Sequence, residues 1–325
     1  METFNKRCVA LYSGGLDSLL AVLIMKNLGF EVFPVFVKTP FYKKYISKLQ
    51  AQLKKYDLNL IVVDDFDGYI SMLLNPKYGY GKHFNPCIDC KIFFLKKAKA
   101  VAKNIDASFF VTGDVVGQRP MSQRSYSILR SIEKNAGVED TVLRPLSAAC
   151  LPETKMEKAG LIKREQLYCI KGRLRKPQFE LAKQFSLEDF ETPAGGCLLT
   201  DLHYSKKLKD LKESGEIDKL NIQLLEYGRH FRINGSKFVI SRNENETKTM
   251  KELFGDLPHI TSSKGPAGIG IFTKEMDLET IKTAASIFKR YAPKAEKLKY
   301  SGSATLELEI DAMDDKLIEH YRIGG

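Results

Sequence analysis

The sequence has no uninterrupted apolar run long enough to cross a membrane, and its first residues lack the pattern of a signal peptide. Neither a membrane nor an export route is expected, and a cytoplasmic protein is the default. Acidic residues are in the minority: 40 Asp and Glu stand against 51 Lys and Arg, for a formal charge of +11. That balance favours a polyanionic partner, nucleic acid first. Lysine pairs such as Lys43-Lys44, Lys54-Lys55 and Lys96-Lys97 also serve as plain solvated surface. Cysteine is sparse, at six residues, and in a reducing compartment these are not expected to form a disulfide framework. With a single C-x-x-C pair, a four-cysteine zinc ribbon within one chain is excluded. No internal repeat is visible.

What is present is ample core material, 43% hydrophobic over 325 residues, enough for two or three domains. The first half alternates strands (Cys8–Tyr12, Glu31–Val37, Leu58–Val63, Ala107–Thr112) with helices (Asp17–Asn27, Tyr42–Lys55, Lys91–Lys103). Apolar strands separated by helices predict an α/β fold with a doubly wound parallel sheet. Ligands of such sheets lie beyond the carboxyl ends of the strands. Residues 151–222, charged and interrupted by Pro177, Pro193 and Gly195-Gly196-Cys197, read as a connecting subdomain following a domain at 1–150. Residues 223–325 read as a smaller α+β domain. Asn234-Gly235 between strand-like runs marks a hairpin there, with helices near Thr247–Phe254 and Leu278–Tyr291 and a strand over Ala304–Ile310.

Ser13-Gly14-Gly15-Leu16-Asp17-Ser18 directly follows the first strand and opens a helix, an arrangement that aims backbone N–H groups at an anion. The Walker spacing G-x-x-x-x-G-K-[ST] is absent around it. The S-G-G-x-D-S spacing resembles the PP-loop of the ATP pyrophosphatases, with a fold like the adenine nucleotide α-hydrolases. The resemblance covers roughly the first half of the chain. It implies that ATP is split between its α and β phosphates to adenylate a substrate oxygen. Ser13, Gly14, Gly15 and Ser18 would hold pyrophosphate, and Asp17 would place Mg2+ or the loop itself. Phe36, Val37 and Lys38 would border adenine. Thr112-Gly113-Asp114 resembles the family's second phosphate-side motif, with Asp114 near Mg2+. A tight turn without a ligand is the plainer reading of the glycines.

The cysteines extend the resemblance. Cys87-Ile88-Asp89-Cys90, within Asn85-Pro86-Cys-x-x-Cys-Lys91, is by itself half a zinc site, a redox pair or part of a cluster. His83 or His203 would complete a mixed metal site. Cys8 reads as a small buried hydrophobe, and Cys150 and Cys169 as structural residues. The N-P-C-x-x-C-K context is similar to the motif of PP-loop tRNA thiolation enzymes. In the cluster-bearing members, a C-x-x-C and one distant cysteine hold a 4Fe-4S cluster, and Cys87, Cys90 and Cys197 match that count. Three thiolates leave one iron open for hydrosulfide. A cluster-free route would place a persulfide on Cys197 and resolve it with Cys87. Lys91 would stabilise developing negative charge, and Arg119 and Arg124 would contact phosphate or RNA. Relative to the common 4-thiouridine synthetase, the phosphate loop stands at the start, with no RNA-binding domain before it.

Residues 225–310, with Gly228-Arg229-His230-Phe231-Arg232 and Ser241-Arg242-Asn243, resemble the NFACT-R RNA-binding domain. A serine replaces the first glycine of its G-R-N core, and Thr247 occupies the position of its asparagine. The resemblance implies RNA contacts from Arg229, His230, Arg232, Arg242 and Asn243. The combined expectation is an ATP-dependent tRNA sulfurtransferase that makes a thiouridine, 4-thiouridine ahead of 2-thiouridine. Its partners would be tRNA and either sulfide or a sulfur-donor protein. The oligomeric state stays open, a homodimer included. The rival readings are a PP-loop amide or nitrile synthetase with zinc, and a non-catalytic RNA-binding protein that uses ATP as a conformational ligand.

Overall fold

The computed structural model describes residues 4–42, 45–187, 190 and 197–324. Lys43-Lys44, Pro193 and the Gly195-Gly196 turn lie outside them. The chain divides into two units, Met1–Cys197 and Leu198–Gly325.

The first unit runs β1 (Arg7–Leu11), α1 (Leu16–Asn27), β2 (Glu31–Lys38), α2 (Ile46–Lys54), β3 (Ile61–Asp64), α3 (Phe66–Leu74), α4 (Cys87–Asn104), β4 (Phe109–Thr112), α5 (Tyr126–Ala136), β5 (Val142–Leu143), α6 (Lys155–Lys158) and α7 (Lys176–Gln184). Its five strands pair in parallel in the order β3-β2-β1-β4-β5. Cys8, Val9 and Ala10 of β1 are buried, as are nearly all residues of α1. Both elements are covered on all sides, which is why their sequences read as continuous apolar runs rather than alternating ones. Burying side chains such as Leu19 and Leu20 contributes about 1.5–3 kcal/mol each. The chain reverses direction across the sheet between β1 and β4, the switch point at which such sheets bind ligands.

Three features depart from expectation. Helix α4 begins at Cys87 rather than Lys91, so the C-x-x-C pair forms its first turn. Much of the stretch expected as a connecting subdomain belongs to the first unit's core: Met156, Ile162, Leu167, Ile170, Leu181 and Ala182 all pack there. Its apolar residues are spaced too irregularly among charges to show this in the sequence. Cys150 and Cys169, expected to be separate structural residues, form a disulfide. They are brought together because Ala149 N–H donates to the Tyr168 carbonyl and Ile170 N–H to the Leu146 carbonyl.

The second unit runs α8 (Leu202–Glu213), α9 (Lys219–Leu224), β6 (Arg229–Ile233), β7 (Ser236–Ile240), α10 (Glu244–Phe254), β8 (His259–Lys264), β9 (Gly270–Phe272), α11 (Leu278–Tyr291), β10 (Lys297–Ser301), β11 (Thr305–Leu308), α12 (Asp315–Ile318) and β12 (Arg322–Ile323). Its seven strands form an antiparallel sheet in the order β11-β10-β8-β9-β7-β6-β12. Asn234 (φ +48°) and Gly235 (φ +75°) make the β6–β7 turn, the left-handed pair that a two-residue hairpin requires. Every residue of β7 is buried. Phe238 and Ile240 pack with α11, while Val239 packs with Met250 and Phe254 of α10, so the two faces of the sheet carry separate cores. Among the described residues no helix is long and apolar enough to cross a membrane.

Candidate functional site

At the carboxyl end of β1 the chain turns through Gly14, whose φ of +76° favours glycine. The Ser18 hydroxyl donates to the Gly15 carbonyl at 2.8 Å and accepts from Ser13 N–H at 3.2 Å, fixing the loop on the first turn of α1. Leu11 and Thr112 are register partners in β1 and β4, which sets the two glycine motifs side by side. Gly113 is needed for close approach: a Cβ there would meet the Asp17 carbonyl carbon and oxygen at 2.4 Å and Ser18 N at 2.6 Å. The two motifs expected to share a phosphate therefore form one surface at the switch point.

Asp17 Oδ2 accepts from Gln118 Nε2 at 2.8 Å and Arg175 Nη2 at 3.2 Å, whereas the buried Oδ1 has no partner. A bare carboxylate oxygen beside a phosphate cradle fits Mg2+, which takes one or two carboxylates together with phosphate oxygens. Asp114 is buried and accepts from Lys91 Nζ, from Gln123 Nε2 at 2.7 Å and from Thr112 Oγ1 at 3.2 Å. Burial opposes its charge, but Lys91, Arg144 and these hydrogen bonds outweigh it and carry the carboxyl down to about 2. Lys91 thus rests on Asp114. Phe36 and Val37 are buried in β2, and Lys38 at its end pairs with Asp64 at 2.7 Å.

Cys87 and Cys90 lie one turn apart at the start of α4 and so share a face of the helix. Cys197 forms an antiparallel bridge with Tyr42, just beyond β2. The three thiols share one neighbourhood, since all of them act on the hydroxyl of buried Tyr69, which lies 3.4 Å from Cys90 Sγ. Phe41 and Phe93 pack around the Tyr69 ring, with centroids 5.9 and 5.5 Å away. Burial pushes the Cys90 thiol up to about 12. Burial also raises Cys87, while Lys91 and Arg119 pull it back. Arg119 and Arg124 are exposed. Among the described residues no three His, Cys, Asp or Glu side chains are placed to hold a metal ion. His83 is exposed, and His203 belongs to the second unit, where its ring meets the Gly324 carbonyl at 2.6 Å.

In the second unit several residues expected to contact RNA have partners within the fold. His230 is 1% exposed, with Nε2 at 2.7 Å from the Tyr227 carbonyl; burial, with Lys207 and Lys237 nearby, holds its pKa far below the usual range. Arg232 is committed to Asp210 at 2.6 Å and Glu216 at 2.5 Å. The Asn243 side chain caps α10 by accepting from Glu246 N–H at 2.9 Å. Arg229 lies over the Tyr291 ring at 4.8 Å, and exposed Arg242 pairs with Glu246. Of the five residues, Arg242 and Asn243 are exposed and Arg229 is half-buried.

Sequence reading missed Tyr69, Gln118 as a partner of Asp17, Arg175 and Gln178. Gln118 directly precedes Arg119 and carries no local signal of its own. Arg175 and Gln178 are three apart at the start of α7, a spacing that puts both on one face, but nothing local connects them to Asp17, 158 residues from Arg175.

Two family models match this chain: "Thiamine biosynthesis protein (ThiI)" over residues 3–155 and "NFACT protein RNA binding domain" over residues 228–322. A probable tRNA sulfurtransferase of Thermococcus kodakarensis is 36% identical over 120 residues, covering 34% of this chain and 30% of that protein. Another, from Methanocaldococcus jannaschii, is 30% identical over 142 residues, covering 43% of this chain and 36% of that protein. The chain spans about a third of the length of these curated relatives. A 4-thiouridine synthetase solved with RNA and bound ATP superimposes with a TM-score of 0.37 and 21% identity, over 65% of this chain and 53% of that one. The first unit is therefore similar to ThiI-type proteins and the second to the NFACT RNA-binding domain.

Proposed function

We propose that this protein is an ATP-dependent tRNA sulfurtransferase that converts a uridine carbonyl to a thiocarbonyl, 4-thiouridine before 2-thiouridine. The observation that carries the reading is the gathering of Cys87, Cys90 and Cys197 around Tyr69 in the unit that also holds the phosphate loop. A uracil oxygen is a poor leaving group. Its attack on the α phosphate of ATP expels pyrophosphate and leaves an O-adenylated ring. A sulfur nucleophile then adds to the ring carbon and AMP departs with the oxygen. Ser13, Gly14, Gly15 and Ser18 hold the pyrophosphate, and Asp17 faces its Mg2+. Lys91, paired with Asp114, offsets negative charge near the thiols. A 4Fe-4S cluster on Cys87, Cys90 and Cys197 would supply an iron with an open position for hydrosulfide.

A cluster-free route has one observation in its favour: no three ligands are placed for a metal ion among the described residues. Cys197 would then accept sulfane sulfur from a donor protein as a persulfide, whose terminal sulfur attacks the adenylated ring. The Cys87 thiolate next attacks Cys197 Sγ, releasing the thiocarbonyl and leaving a Cys87–Cys197 disulfide for a dithiol to reduce.

The test is anaerobic incubation with ATP, Mg2+, sulfide and unmodified tRNA, followed by nucleoside mass spectrometry, with iron and acid-labile sulfide measured in the same preparation. Thiolated uridine with iron and sulfide present is expected. Thiolation by iron-free protein overturns the cluster and keeps the enzyme, and no thiolation of bulk tRNA overturns the enzyme.

A further inference from the structure

The geometry points to a hydrogen-bonded relay, Gln178–Gln118–Asp17 braced by Arg175, that holds Asp17 with one oxygen turned to the Mg2+ of a bound nucleotide. Arg175 and Gln178 are its positioning residues, and both lie between the two matched spans, 3–155 and 228–322. The inference rests on the nucleotide reading above.

The polarity of the relay follows from its end. Asp17 can only accept, so Gln118 must present Nε2 to it, at 2.8 Å. Gln118 Oε1 then faces Gln178, which must donate through its own Nε2, at 3.2 Å. Arg175, at the N-cap of α7, donates to the same Asp17 oxygen at 3.2 Å. All the donors converge on Oδ2. Oδ1 is buried and bare, and so is Oε1 of Gln178, a residue with no exposed surface.

A purely structural ion pair would use both carboxylate oxygens, because each unpartnered buried acceptor costs about 1–3 kcal/mol. The two bare atoms are both acceptors. They suit a cation and its coordinated waters, and an anion would find no donor in either. The α7 start is fixed for this task by its approach. Gly172 N–H donates to the Val116 carbonyl at 2.8 Å, and the Ser147 hydroxyl donates to the Ile170 carbonyl at 2.6 Å. Gly117 (φ +80°) lets the two segments meet at the Val116–Lys171 bridge, with the Gly172 nitrogen 3.3 Å from the point a Cβ would occupy.

The test uses the full chain and isothermal titration with ATP, in Mg2+ and again in EDTA. Hydrogen-bond partners of metal ligands commonly account for about 10–100-fold in metal affinity. Gln178→Ala is expected to weaken ATP binding about tenfold in Mg2+ and to leave binding in EDTA within about twofold. Arg175→Lys, which keeps the charge but loses the planar fork, is expected to show a smaller loss with the same Mg2+ dependence. An equal loss with and without Mg2+, or no loss in either, overturns the relay. If Gln178→Ala fails to melt cooperatively, Arg175→Lys decides by the same criterion. A wild-type protein that binds no ATP in Mg2+ removes the proposed function and the relay together; a normal wild type with an unresponsive variant removes the relay alone.

Discussion

The two units use buried charge in opposite ways. At the carboxyl ends of β1 and β4 in the first unit, one carboxylate is held in place yet left incomplete: Asp17 keeps a bare Oδ1, while Lys91 and Asp114 pair beside the thiols. In the second unit the charges complete one another. Arg232 is held by Asp210 and Glu216, and fully buried Lys237 reaches Asp210 at 3.4 Å. The difference separates a group that waits for a ligand from one that holds a fold. Residue type alone does not make that separation, since Arg232 in the hairpin looks as apt for RNA as Arg242 does.

The largest expected effect would sharpen the ligand side. Cys197→Ala should abolish tRNA thiolation while leaving ATP affinity unchanged, read by nucleoside mass spectrometry and calorimetry on one preparation. On the structural side, Asp210→Ala leaves Arg232 and Lys237 without a shared anion. Breaking a buried pair in this way costs about 3–5 kcal/mol, visible in urea unfolding of the full chain. A loss under about 1 kcal/mol would break the comparison, placing this network among the exposed pairs. Gly113→Ala forces backbone apart where the two phosphate motifs touch. About 1–3 kcal/mol of stability should go, together with ATP affinity.

The units should also answer pH in separate windows, stability rising with pH in each. Asp114 has its pKa lowered from 3.8 to about 2, so its ionised form stabilises the fold fully above 3.8 and loses that contribution as pH falls toward 2. Lys237 is lowered from 10.5 to about 8 by burial against the pull of Asp210. Between pH 8 and 10.5 the unfolded chain then holds the proton that the folded one has released, so stability rises with pH there. Unfolding free energies across both windows, for wild type, Asp114→Asn and Lys237→Met, should show each slope vanish with its residue. The smallest effect distinguishes the two arginines. Arg242→Ala should change stability by no more than about 1 kcal/mol, because Arg242 reaches Glu246 from an exposed position. It should nonetheless weaken tRNA binding and flatten its salt dependence, measured by filter binding at several ionic strengths.

Much was legible in the sequence where local chemistry dictates the structure. Ser13-Gly14-Gly15 must turn between a strand and a helix, Asn234-Gly235 must close a hairpin, and β1 and α1, covered on every side, must be apolar throughout. Short elements with mixed composition were not legible. Helix α3 and the two-residue strand β5 gain stability from packing, although α5 does carry an amphipathic spacing at Leu129, Ile132 and Ala136, and the start of α4 at Cys87 is set by Pro86 as its cap.

The sequence by itself determined the parallel α/β unit, the phosphate loop and the cysteines to watch, because each depends on residues within a few positions of one another. Only the tertiary structure decided that Cys150 meets Cys169, that Tyr69 lies among the three thiols, that Arg175 and Gln178 reach Asp17, and that His230 and Arg232 point inward. Whether a polar group is spent or free depends on which partners the fold brings to it from far along the chain, and burial sets the energy of that choice.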